Sequence, residues 1–196
     1  MRLTVICLLA SALLILPSIG HAQGVPVFEV TPLESSILFE VDASVAIKGK
    51  FDKWNATLTF TSPEVESASL DVEIQAATVD TGSGLKNSKL KGADFFDVAN
   101  NPLISFKSTK IVQSGPTTFE VDGNFTIRGV TRPEHLTLAL SGKGTGSGEV
   151  RGVMAFDRRQ YGMNSGIPFI RIADRVQVTV ALKAKRVSGP PVVFKQ

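Results

Sequence analysis

Alternation with a period of two governs this chain. Between Phe119 and Arg128, Phe119, Val121, Phe125 and Ile127 alternate with Glu120, Asp122, Asn124, Thr126 and Arg128. Successive side chains of a strand point to opposite faces, so this pattern describes a strand buried on one side and wet on the other. The same pattern recurs. Ile37, Phe39 and Val41 share a face in Ser36–Val41, and Leu58 and Phe60 share one in Thr57–Phe60. Leu70, Val72 and Ile74 do so in Ala68–Gln75, as do Leu136, Leu138 and Leu140 in His135–Leu140. Val176, Val178, Val180 and Leu182 repeat it in Arg175–Arg186. Val27–Val30, Val150–Phe156 and Ile170–Ile172 add shorter runs, and no long stretch carries the 3.6-residue period of a helix. Many short strands joined by Gly and Pro turns predict an all-β sandwich or barrel.

The first 22 residues stand apart from this pattern. Arg2 precedes the apolar run Leu3–Leu16, Pro17 breaks it, and Gly20 and Ala22 place small residues before Gln23. A run of about 14 apolar residues is short for a bilayer, which needs roughly 20, so residues 1–22 read as a secretory signal peptide. The one cysteine, Cys7, falls inside it, leaving 23–188 as a single domain without thiol or disulfide chemistry. Residues 189–196 read as a flexible tail. Subtracting Arg2 from 21 basic side chains leaves 20 against 18 acidic ones. With no basic arm or block, nucleic-acid binding has no support.

Catalytic and metal constellations are sparse. His135 is the only histidine after residue 22, and no acidic cluster joins it. No G-x-S-x-G elbow supports a Ser-His-Asp arrangement. Gly142, Gly144, Gly146 and Gly148 lack the G-K-[ST] ending of a phosphate loop and read as a hairpin. Asp94 and Asp97 flank Phe95 and Phe96, where turn capping explains them better than acid–base chemistry. The prediction is a protein that is not an enzyme and carries no cofactor or metal.

The aromatic balance is unusual, with 12 Phe against one Trp and one Tyr. Phe carries no polar atom, so an inward Phe-rich set can line a cavity that offers no hydrogen bond. An eight-stranded barrel encloses a space that side chains just fill, or that holds one small ligand. Composition leaves both open.

The segment from Thr81 to Pro133 decides more. Thr81-Gly82 leads through a short polar helix near 85–91 to Asp94–Asp97, the turn Asn101-Pro102, the strand Phe106–Thr109 and the run Gly123–Pro133 (GNFTIRGVTRP). Together these blocks resemble the YceI-like family. The resemblance implies an antiparallel lipocalin-like barrel of about eight strands with a short helical connector. It further implies a long isoprenoid lipid, of polyprenyl or quinone type, held inside for sequestration or transport in the periplasm.

The cavity lining it implies is Phe39, Val41, Phe51, Phe60, Val72, Ile74, Phe95, Phe96, Phe106, Phe119, Phe125, Ile127, Phe156 and Val178. Lys86, Lys89, Lys91, Arg128 and Arg158, with Arg132, are the head-group candidates at the mouth. The alternative is a non-catalytic envelope protein with a solid core whose loops bind a partner. A homodimer is compatible with the family.

Four departures from the family pattern stand out. Thr31, Glu34 and Ala43 occupy places where an acidic residue and two histidines are usual. Arg158 and Tyr161-Gly162 match an R-x-D-F/Y-G block, but its Asp is Gln160 here. If that Asp fixes the loop elsewhere, this chain must hold it by other means; Arg158 reads first as a structural residue whose guanidinium satisfies loop carbonyls, and second as a ligand contact.

Overall fold

The structure is a computed structural model describing residues 24–44, 47–166 and 171–196. The expected signal peptide therefore lies outside the described residues. Eleven strands form one antiparallel sheet: β1 (Val27–Val30), β2 (Ser36–Ala43), β3 (Ile47–Phe51), β4 (Trp54–Phe60), β5 (Ala68–Gln75), β6 (Val79–Asp80), β7 (Leu103–Gln113), β8 (Thr118–Ile127), β9 (Val130–Ser141), β10 (Ser147–Asp157) and β11 (Ile172–Ser188). The one α-helix among the described residues, α1, spans Gly84–Lys91, and Ser83 caps it by accepting from the Lys86 amide. No helix among the described residues is long and apolar enough to cross a membrane.

The sheet runs β4-β5-β7-β8-β9-β10-β11-β2-β3-β6 and curls on itself, with β1 added to β11. The all-β antiparallel prediction and the short helix both hold. The strand count rises from about eight to eleven because the chain breaks at short turns that the alternation passes over. β1 and β2 lie end to end along β11: β1 pairs with Ala184–Ser188 and β2 with Ile172–Ala181. The run expected at 170–172 is the start of β11, and residue 170 lies outside the described residues.

The curl is not sealed by hydrogen bonds all the way round. β4 pairs only with β5, and no ladder joins it to β1 or β3. Side chains cover the seam instead, with the Phe28 and Phe60 rings 5.7 Å apart across it. At one end the corner is tied by the backbone, where the Gln75 amide donates to Lys53 O at 2.9 Å and β6 pairs with β3.

Inward positions are those the alternation marks. Along β8, Phe119, Val121, Gly123, Phe125 and Ile127 are buried while Asp122 and Asn124 are exposed. Gly123 is required by packing, since a Cβ there would sit 2.4 Å from the Phe106 ring and 2.8 Å from the Lys107 carbonyl. A bulge at Thr109 interrupts the β7–β8 register, and next to it the buried Ser108 hydroxyl accepts from the Leu70 amide at 2.8 Å.

The flexible tail expected at 189–196 is instead docked. Gly189 turns the chain with φ 78 and passes so close to the Val25 backbone that no side chain would fit. Val193 then exchanges backbone hydrogen bonds with the β4–β5 connection, receiving from Val65 N at 2.9 Å and donating to Pro63 O at 2.8 Å. Val192 and Phe194, both half-buried, pack this end against the barrel.

Candidate functional site

Two adjoining chambers occupy the barrel interior. The larger has a volume of about 160 Å³ and the smaller about 70 Å³. Phe60, Val72, Phe106 and Phe119 line the larger. Phe39, Val41, Phe51, Phe95, Phe96, Ile127 and Phe156 line the smaller. Ile74, Phe125 and Val178, joined by Ile37, face both and form a waist between them. All fourteen residues expected to line a cavity thus face this interior.

The walls are almost wholly apolar. Among the described residues, neither chamber is lined by a carboxylate, histidine, hydroxyl or amide side chain. Arg158 is the one charged side chain on either wall. Such a space offers hydrocarbon burial at about 25 cal/mol per Å² and no hydrogen bond to select a polar group.

The smaller chamber ends at α1 and the ADFFD block. Phe95 and Phe96 are buried, and the Phe96 ring lies 5.9 Å from Phe51 and 6.4 Å edge-on from Phe39. These rings plug that end. Asp94 does not cap a helix; it pairs with Lys89 at 2.6 Å and accepts from the Ser165 hydroxyl. Those two contacts, Lys89 first, hold its carboxyl below the usual carboxylate range. Asp97, with φ 49, accepts from the side-chain amides of Asn100 and Asn101.

Three arginines fasten the neighbouring loop by its carbonyls. Arg158 is buried and donates to Ala173 O at 3.0 Å, Ser165 O at 3.2 Å and Met163 O. Its remaining contact is Asp174 at 3.2 Å, a carboxylate shared with Arg159 at 2.7 Å. Asp174, from β11, therefore anchors Arg158 in the chain where Gln160 replaces the usual Asp. Arg132 donates to Gln160 O at 2.9 Å, and Arg128, left-handed at φ 55 in the β8–β9 turn, donates to Gly162 O. Tyr161 is buried against Phe125 and Phe156, and its hydroxyl donates to Glu134 at 2.6 Å. Burial first, then the Glu134 contact, pushes its ionisation far upward.

The expected head-group cations do not meet at a mouth. Lys86, Lys89 and Lys91 sit on α1, and neither they nor Arg128 are among the lining residues. Arg158 does face the smaller chamber, but its donors are taken up by carbonyls and Asp174. Guanidinium forks suit loop carbonyls as well as they suit ligand anions, and sequence cannot tell the two uses apart.

The larger chamber reaches the opposite end, where Val65, Val192 and Phe194 cover it. Phe194 packs on Phe119 at 6.2 Å, and the Lys143 ammonium sits 4.6 Å from the centroid of the Phe194 ring. Lys195 pairs with Glu66 at 2.7 Å, and its backbone exchanges hydrogen bonds with the Gln113 side chain at 2.8 and 3.0 Å. Phe28, Val192 and Phe194 are lining residues that sequence reasoning missed. The Val192-Val193-Phe194 triplet, apolar at the end of a polar stretch, was the signal available.

Comparison with known proteins matches residues 28–184 to the YceI-like domain. A UPF0312 protein of Pseudomonas savastanoi pv. phaseolicola is 32% identical over 98 residues, 50% of this chain and 51% of that one. The match spans about half the length of that relative. The crystal structure of Burkholderia cenocepacia BcnA superimposes with a TM-score of 0.72 at 24% identity, covering 79% of this chain and 99% of that one. A domain from Saccharophagus degradans, described as polyisoprenoid binding and implicated in plant cell wall breakdown, gives a TM-score of 0.66 at 14% identity over 82% and 99% of the two chains. With the domain match running from β1 into β11 across nearly the whole described barrel, this chain belongs to the YceI-like family.

Proposed function

We propose that the protein binds a long-chain isoprenoid lipid inside its barrel and carries or stores it without transforming it. The observation that carries this reading is the pair of adjoining apolar chambers, unfilled by side chains and bordered by one cation, Arg158, that makes four hydrogen bonds to the protein itself. Native interiors pack closely, so a void of this size in a well-formed barrel calls for an occupant. Each methylene moved from water into it is worth about 0.8 kcal/mol, so one isoprene unit contributes several kcal/mol before losses. The polyisoprenoid-binding description of the Saccharophagus degradans domain supports the same ligand class. The signal-like residues 1–22 support a periplasmic site of action, where a lipid of this length needs shielding from water. Access is at the tail-covered end, because the opposite end is plugged by rings and fastened by arginines.

Native mass spectrometry of protein purified from periplasm, followed by organic extraction, tests this. A stoichiometric polyprenyl or quinone species is the expected result. A mass that stays apo after incubation with such lipids would overturn the carrier reading and favour a loop-mediated partner.

A further inference from the structure

The geometry points to the waist as the ruler that sets ligand chain length, with the Phe125 ring as its principal stop. This rests on the lipid-binding reading and goes beyond it by naming what limits the lipid. Four side chains face both chambers, one each from β2, β5, β8 and β11: Ile37, Ile74, Phe125 and Val178. β2 and β11 are paired neighbours, while β5 and β8 lie in another part of the sheet with β7 between them, so the four residues draw the interior in from two parts of the sheet and make a constriction, not a local bump.

Phe125 differs from the other three in size and in bracing. Its ring rests on Phe156 at 5.1 Å and on Tyr161 at 5.5 Å, and those two contact each other at 5.2 Å. Tyr161 is itself held by its hydrogen bond to Glu134. A ring wedged between two buried rings cannot swing aside without displacing both. The aliphatic members, by contrast, are small.

A chain admitted at the tail end therefore fills the larger chamber and meets this stop. From Gly148 to Met154, both on the larger chamber's wall, β10 runs about 20 Å at roughly 3.3 Å per residue. Carbons beyond that depth remain outside and contribute little. Affinity should rise with prenol length and then level off.

The test measures affinities for geraniol, farnesol, geranylgeraniol and solanesol with wild type, Phe125→Leu and Phe125→Ala, each checked for folding by circular dichroism. The expected result is that the plateau moves to a longer prenol in the order wild type, Leu, Ala. The first prenol beyond the wild-type plateau should bind the Ala variant at least about tenfold more tightly, the worth of two more buried methylenes. A prenol carrying a diazirine at its tail end gives a second readout that needs no variant. In wild type it should label the wall of the larger chamber, such as Leu136 or Met154, and in Phe125→Ala it should label Phe51 or Phe96.

Labelling of Phe51 or Phe96 in wild type, or an unmoved plateau in both folded variants, would overturn the ruler while leaving lipid binding intact. Failure of wild type to bind any prenol would overturn the lipid reading and the ruler with it.

Discussion

The two ends of this barrel are closed by different physics. The helix end is closed by buried rings and by guanidinium groups donating to backbone carbonyls, with Arg158 only 5% exposed. The tail end is closed by a strand-like strap that makes two backbone hydrogen bonds at Val193 and one exposed ion pair at Lys195. Ordering each strap residue costs about 1–2 kcal/mol in backbone entropy, which offsets most of what those contacts supply. The helix end is held more firmly, because Arg158 and the Phe95 and Phe96 rings that fasten it are buried, although the Arg128 and Arg132 contacts are exposed. The proposed carrier needs one end that holds and one that opens, and this difference in closure is the ground for proposing the helix end as the first and the tail end as the second.

The largest effect should come from breaking the fixed end. Arg158→Ala strips three carbonyls of their donor, leaves Asp174 with Arg159 alone and opens a gap on the smaller chamber's wall. We expect a loss of about 3 kcal/mol, or roughly 10 °C in Tm, measured by thermal denaturation. A loss below 1 kcal/mol would mean that the rings alone hold this end, and the contrast between the ends would collapse.

Removing residues 190–196 should cost less stability and change more function. The deletion uncovers Phe119 and the larger chamber but breaks no core contact among β-strands. A loss of about 1–2 kcal/mol is expected, together with at least tenfold faster exchange of bound prenol followed by stopped-flow displacement. Unchanged exchange would place access elsewhere, and the seam along β4 would be the next candidate.

How much of this was legible follows from the same contrast. The inward faces of β2, β5, β8 and β11 could be read directly, because a half-buried strand writes its burial into alternate residues. The plug at Phe95 and Phe96 was visible as paired rings in a turn block. The uses of Arg128 and Arg132 were not, since their partners are carbonyls, which no sequence spacing announces; for Arg158 a guanidinium serving loop carbonyls is the first reading of the sequence, and only its tie to Asp174 has no local signature. The strap was misread for a related reason. Gly189, Pro190 and Pro191 signal a chain leaving its domain, and only tertiary contact with Val65 and Phe119 brings it back. The division of the interior by a waist is likewise a property of four distant strands and has no local signature.

The finest difference between the ends is their response to acid. Glu66 receives the Lys195 ammonium and the Gln113 amide, and these contacts, Lys195 first, hold its carboxyl below the usual carboxylate range. A carboxyl whose folded value is depressed contributes stability that is present above its unfolded value and lost as pH falls through the folded one. The strap should therefore loosen as pH drops through the acid side of the carboxylate range; at the helix end Asp94, held low by Lys89, also titrates on the acid side, while the guanidinium–carbonyl contacts there do not. Glu64, on the same connection, is also held low, by Ser62, so its titration must be separated from that of Glu66. Glu66→Gln does this: it keeps an acceptor for Gln113 N and removes only the titrating charge. Hydrogen exchange at the Val193 amide should quicken toward acid in wild type, after correction for intrinsic rates, and lose most of that pH dependence in Glu66→Gln. Equal pH profiles in the two proteins would show that the ion pair is solvated decoration and that Phe194 alone holds the strap.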